Sequence, residues 1–198
     1  MQEHNQNLYL SFDIEADGQS PAQHNMLSFG LSVLDDAGQE IAAFECNILE
    51  QDGHTADPRT MEEFWAQHPD AWEATRHDRQ TPAEFVRRLV EFLASLPPNA
   101  RRRWVAKPAA YDWQWLNAYF HSYRDRAQHP LIDIGFKADC ISTMLQVHLA
   151  QRGIRERAAV ALECERLSGR QPHTHRAIDD ARQQARLFYS LGCELRCL

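Results

Sequence analysis

The stretch Phe12-Asp13-Ile14-Glu15 sets the first constraint on how this chain can fold. Leu8, Leu10, Phe12 and Ile14 alternate with Tyr9, Ser11, Asp13 and Glu15. That is the period of a β-strand, whose successive side chains point to opposite faces. Asp13 and Glu15 therefore share one face, roughly 7 Å apart at about 3.3 Å per residue. Two carboxylates so placed repel each other unless positive charge lies between them. A divalent cation meets that need, because hard cations take oxygen ligands. An exposed strand end would tolerate the same pair, so this stretch alone leaves both readings open.

The pattern that follows predicts a meander. Met26 to Leu34 reads as a second strand, Asp35-Asp36-Ala37-Gly38 as a turn and Ile41 to Ile48 as a third strand. Thr60-Met61-Glu62-Glu63 and Thr81-Pro82-Ala83-Glu84 have the form of capping boxes that open helices, the first ending at Pro69 and the second at Pro97-Pro98. Short strands are expected at Arg103 to Ala106 and Leu131 to Ile134. Helices are expected from about Ala110, at Cys140–Gln151, at Arg155–Leu167 and at Ala177–Leu191, with Gly169 and Gly192 as C-terminal caps. Strands first, then alternating helices and strands, indicate an α/β or α+β domain around one mixed sheet. No linker or repeat divides the 198 residues, so one domain is expected, with its core at about 8–192 and a lid or insertion over 51–79.

Composition narrows the function classes. A net charge of −7 argues against a broad basic surface that coats nucleic acid, although a cleft holding cations would still serve. No apolar run approaches the roughly 18 residues of a membrane span. The polar start, MQEHNQN, lacks a signal-peptide pattern, so a cytoplasmic location is expected. The five scattered cysteines are then expected to be reduced thiols.

Two further acids behave like the first pair. At about 100° per residue, Gln114, Asn117 and His121 gather on one helix face and Asp112 falls on the opposite one, among Leu116, Tyr119 and Tyr123. In the last helix Asp180 lands between Leu187 and Leu191. Its neighbour Asp179 joins the polar face and is expected in solvent beside Arg182. Each inward acid alone fits a helix start, where the dipole favours negative charge. Buried charges need partners or a metal, and four inward acids on three elements point to a shared site. His175, just ahead of the last helix, reads by itself as a surface or capping residue.

These residues fall into three ordered motifs: FDIEADG, PAAYDWQWL and HRAIDDA. In them the chain resembles the DEDD, or DnaQ-like, 3′–5′ exonuclease superfamily in its histidine subtype. The ribonuclease T and oligoribonuclease branches look nearest. The resemblance spans roughly Tyr9 to Leu191, and it implies a ribonuclease H-like α/β fold with a five-stranded mixed sheet, three antiparallel strands followed by parallel ones, flanked by helices.

The resemblance also implies chemistry. Asp13, Glu15, Asp112 and Asp180 would hold two magnesium or manganese ions, with Asp13 bridging them and His175 acting as general base. The product would be a nucleoside 5′-monophosphate released from the 3′ end of single-stranded RNA or DNA. Ile14 and Ala16 would border the terminal nucleotide. Phe29, Trp65 and Trp113 are candidates for base stacking, with core packing as the competing role for each. The expected partner is a single-stranded 3′ end, without a membrane, and a homodimer is left open. Two departures stand out: Lys107-Pro108 where many relatives have Asn or His, and the 51–79 segment. Neither is expected to touch the catalytic set. Two other functions compete: a catalytically weak nucleic-acid-binding module on the same fold, and a carboxylate-pair glycosidase, in which Asp112, Asp180 and His175 would be spare.

Overall fold

A computed structural model describes residues 6–125, 130, 132–170 and 174–197. The chain runs β1 (Asn7–Ala16), β2 (Met26–Leu34), β3 (Glu40–Asn47), α1 (Pro58–Glu63), a single 3₁₀ turn (Trp65–Gln67), α2 (Pro69–Ala74) and α3 (Pro82–Ser95). It continues through β4 (Arg101–Ala106), α4 (Ala109–Tyr123), β5 (Asp139–Cys140), α5 (Ile141–Gln151), α6 (Arg157–Ser168) and α7 (Ala177–Leu195). The sheet has five strands in the order β3-β2-β1-β4-β5. β1, β2 and β3 pair antiparallel, and β4 and β5 add in parallel. The mixed five-stranded α/β sheet is the architecture expected.

Both faces of β1 are covered. Leu8, Leu10, Phe12 and Ile14 pack with Phe85, Leu89 and Leu93 of α3 and with Leu116, Tyr119 and Phe120 of α4. On the other face Tyr9 packs with Leu187, Phe188 and Leu191 of α7 and with Ile141 and Leu145 of α5. The alternation in β1 therefore separates two buried layers rather than a core face from a solvent face. Asp13 and Glu15 project into the α7 layer, where water cannot freely screen them.

α7 is held from two directions. Gly30 of β2 lies opposite Asp13 in the strand register. A Cβ at Gly30 would sit 2.3 Å from the backbone carbon of Ala177 and 2.3 Å from the nitrogen of Ile178. The missing side chain is what lets the first turn of α7 rest on the sheet beside Asp13. From behind, buried Glu163 of α6 meets His148 of α5 at 2.6 Å and Arg166 at 2.7 Å, and Arg166 reaches Glu194 of α7 at 2.7 Å. Arg166 and His148 pull the Glu163 carboxyl down to a pKa of about 2.

Several boundaries differ from the sequence reading. Asp57, not Thr60, caps α1, accepting from the backbone N–H groups of Arg59 and Thr60. Pro58 stands at the first helical position, where its missing N–H is no loss, so the helix starts early. Pro69 ends no helix; by the same logic it opens α2. Thr81 does cap α3, accepting from Glu84 N–H at 3.2 Å. Of the expected strand at Leu131 to Ile134, Leu131 lies outside the described residues and Ile132–Ile134 are irregular. Asp133 accepts the N–H of Gly135, a local side-chain turn that competes with strand pairing. β5 forms later, at Asp139–Cys140. Gly169 caps α6 with φ 78°, but Gly192 lies inside α7, whose left-handed cap is Arg196 at φ 54°.

The Gly30 contact yields a test. Gly30→Ala puts a methyl group into backbone that cannot rotate away. It should destabilise by about 3 kcal/mol, the upper end of ordinary overpacking. For a chain of this size that lowers Tm by roughly 6–12 °C. A Tm within about 1 °C of wild type in thermal unfolding would mean that α7 does not rest on this contact.

Candidate active site

The four acids and the histidine reach one cleft from three directions. Asp13 and Glu15 come from the end of β1. β4 pairs with β1 only as far as Ser11, then turns away into α4. The backbone N–H of Ile14 is taken up instead by the Asp112 carboxylate at 3.3 Å. Asp112 thus stands where a strand neighbour would have been, in the first turn of α4, where the dipole favours an acid. Asp180 arrives from the first turn of α7, the turn that Gly30 admits to the sheet. Glu15, Asp112 and Asp180 are buried, with 8, 2 and 6% exposure, while Asp13 opens partly to the cleft.

The cleft has a volume of about 550 Å³ and is lined by Asp13, Ile14, Glu15, Asp112, His175 and Asp180, together with Phe64, Lys107, Pro108, Tyr111, Gln183 and Gln184. Ligand atoms of Glu15, His175 and Asp180 lie within 4.8 Å of one another. Among the described residues Lys107 is the one permanently charged cation on the lining, against four carboxylates.

The electrostatics match that imbalance. Burial, then the charges of Asp112, Glu15 and Asp180, push the Asp13 carboxyl well above the usual range, and the Gln184 amide bond at 2.6 Å only partly offsets them. Burial, then Asp180 and Asp112, do the same to Glu15. Burial lifts Asp112 to about 7 against the pull of the Ile14 N–H. Its second oxygen, Oδ2, is buried with no hydrogen-bond partner. An acceptor left bare in this way normally costs about 1–3 kcal/mol, so it is tolerated only where something else meets it. An oxygen-rich donor set with one histidine suits a divalent cation.

His175 precedes α7 with φ 53°, a left-handed backbone that costs a non-glycine residue about 1–3 kcal/mol and clusters at functional sites. Two rings from the 51–79 segment pack on the imidazole. Phe64 meets it edge-on with centroids 5.1 Å apart, and His68 lies 4.1 Å away. The segment therefore does touch the site, contrary to the sequence expectation. So do Lys107 and Pro108, which line the cleft.

The expected nucleotide contacts divide. Ile14 lines the cleft. Ala16 is 7% exposed, and its carbonyl accepts the Trp65 indole N–H at 3.1 Å. Trp65 is itself buried by that bond, and Phe29 is fully buried against Phe12 and Phe85. Neither ring has a face left for a base. Trp113, one residue past Asp112 and so turned about 100° away, packs edge-on against Phe12 and Trp104. Asp179 is half-buried and accepts the Thr174 hydroxyl at 2.9 Å, while Arg182 turns to Glu40 instead. Gln184 was missed, although it follows Asp180 by four residues and so shares its helix face. Tyr111, Phe64 and His68 carried no periodic signal.

Three solved structures share this fold. E. coli ExoI, described as a zinc ion bound form of an ExoI–ssDNA complex, matches with a TM-score of 0.70 at 16% identity, over 96% of this chain and 41% of that one. Cell-death related nuclease 4 (CRN-4) matches with a TM-score of 0.66 at 12% identity, over 96% and 64%. The nuclease domain of 3′hExo, described as a DEDDh family member bound to rAMP, matches with a TM-score of 0.61 at 11% identity, over 98% and 94%. The chain thus spans less than two thirds of ExoI and of CRN-4. No curated protein sequence matches it. The model of the 3′–5′ exoribonuclease Rv2179c-like domain matches residues 8–191, and the chain belongs to that family of 3′–5′ exonucleases.

Proposed function

We propose that this enzyme hydrolyses single-stranded RNA from its 3′ end, one nucleoside 5′-monophosphate at a time, with single-stranded DNA as a second substrate. The observation that carries the reading is the meeting of Asp13, Glu15, Asp112, Asp180 and His175 in one cleft. A nucleic-acid-binding module would not need four mutually repelling acids, and a glycosidase would need only two. The family description favours RNA. Among the structural neighbours, 3′hExo is bound to rAMP, and ExoI is bound to single-stranded DNA and zinc.

Two divalent cations, magnesium or manganese, would be held by Asp13, Glu15, Asp112 and Asp180, and would supply positive charge to the phosphoryl oxygens and acidify the attacking water. The protein's own residues do the rest. Gln184 fixes one oxygen of Asp13, and the Ile14 N–H fixes one oxygen of Asp112. His175 accepts the proton of the water on an imidazole nitrogen, a task suited to a group with an ordinary pKa of about 6.5. Lys107 meets the incoming backbone phosphates. Ile14 borders the terminal nucleotide. The enzyme works in a reducing cytoplasm, a reading supported by five free cysteines. No helix among the described residues is long and apolar enough to cross a membrane.

Matched oligomers labelled at either end test the reading. Degradation should start at a free 3′-hydroxyl, release nucleoside 5′-monophosphates, stop in EDTA and resume with magnesium or manganese. Cleavage of a circular single strand would overturn it. His175→Ala should lose on the order of 100-fold in kcat, together with the acid limb of the pH–rate profile. An unchanged kcat would remove His175 from the role of base.

The raised carboxyl pKa values predict how the metal-free protein responds to pH. Below about pH 4 the folded and unfolded chains both hold these protons, and nothing is lost. Above it the unfolded chain releases them while Asp13, Glu15 and Asp112 still resist, up to about 7 for Asp112. Their contribution therefore destabilises the fold increasingly as pH rises through this window. In EDTA, Asp112→Asn should gain stability over wild type between about pH 5 and 8, on the order of 5–10 °C in Tm. Magnesium should shrink that gain. A difference that does not vary with pH would contradict the electrostatic account.

A further inference from the structure

We propose that Phe64 and His68 are positioning residues that hold the His175 imidazole against Glu15 and Asp180; the inference rests on the role of His175 as base. His175 sits on a short stretch between the described end of α6 and the start of α7, in a left-handed conformation that its own backbone does not favour. Two rings from a distant part of the chain pack against it. His68 packs on it at 4.1 Å with the planes inclined by 46°, and Phe64 meets it at 5.1 Å and 89°. Phe64 and His68 also touch each other at 4.8 Å, closing a triangle of rings.

That triangle is anchored at the metal-facing strand. Phe64 is the C-terminal cap of α1 and His68 the N-terminal cap of α2, so both rings flank the one 3₁₀ turn that joins the helices. Trp65, between them, is buried and donates its indole N–H to the carbonyl of Ala16. Ala16 directly follows Glu15. Trp72 packs on Trp65 at 5.2 Å and completes the footing. The 58–74 region is thus bolted to the end of β1 by Trp65 and reaches His175 through Phe64 and His68. A displacement of the base by about 1 Å costs catalysis far more than binding, because proton transfer demands hydrogen-bond geometry.

The test is a mutant cycle on the full chain with a single-stranded RNA oligomer and magnesium. Phe64→Ala and His68→Ala should each lower kcat about tenfold, with KM changed less than twofold. His68→Phe, which keeps a ring, should recover most of the rate. In a His175→Ala background the same substitutions should have no further effect, since a residue that acts only through His175 has nothing left to place. Tm of each variant separates misfolding from misplacement. A full additional loss in the His175→Ala background, or a change confined to KM, overturns the proposal. A fully active His175→Ala would instead fail the underlying reading, and is distinguishable because the loss in Phe64→Ala would then have no client.

Discussion

Mutual repulsion among buried carboxylates is the constraint that the structure is built to withstand. Glu15, Asp112 and Asp180 are nearly sealed from water, and the charges of all three act on Asp13. Effective penalties for burying a charge run to several kcal/mol each, against a total stability of about 5–15 kcal/mol for a domain. The fold meets this with two apolar layers on the two faces of one sheet. α3 and α4 cover one, and α5 and α7 the other. The acids sit where three elements end: the last residues of β1, the first turn of α4 and the first turn of α7. Element ends supply backbone N–H groups and dipoles that regular interiors lack.

Placement of α7 decides whether the set is complete. Its first turn carries Asp180 and, four residues on, Gln184, which bonds Asp13. Gly30 lets that turn lie on β2, and the charge network of His148, Arg166, Glu163 and Glu194 ties its far end to α5 and α6. The same helix start fixes the stretch that bears His175. One close contact between backbones thus positions Asp180, the Gln184 amide that bonds Asp13, and the candidate base together.

The inward acids were legible because helices and strands impose periods on sequence. The phase of α4 put Asp112 opposite Gln114 and His121, and the phase of α7 put Asp180 beside Leu187 and Leu191; both are buried. The antiparallel meander of β1, β2 and β3 followed from turns and alternation, whereas the parallel strands beside it were implied only by the family resemblance, and an Asp133–Gly135 turn displaced the last of them from its expected place. Aromatic side chains were poorly legible. Residue type does not separate Phe29 and Trp65, which fill the core, from Phe64, which lines the cleft. The contact of Phe64 and His68 with His175 joins segments more than a hundred residues apart. No local period encodes such a contact, because tertiary packing alone creates it.

The central claim is that these acids are held in repulsion so that divalent cations can relieve it, and calorimetric titration of manganese into the metal-free protein tests it most directly. Runs at about pH 7 in two buffers of different ionisation enthalpy count ions and protons together, since binding to protonated ligands must expel protons. The account predicts saturation at two ions per chain, as a two-metal site requires, with net proton release. Binding that releases no protons, or no binding at millimolar manganese, would contradict it.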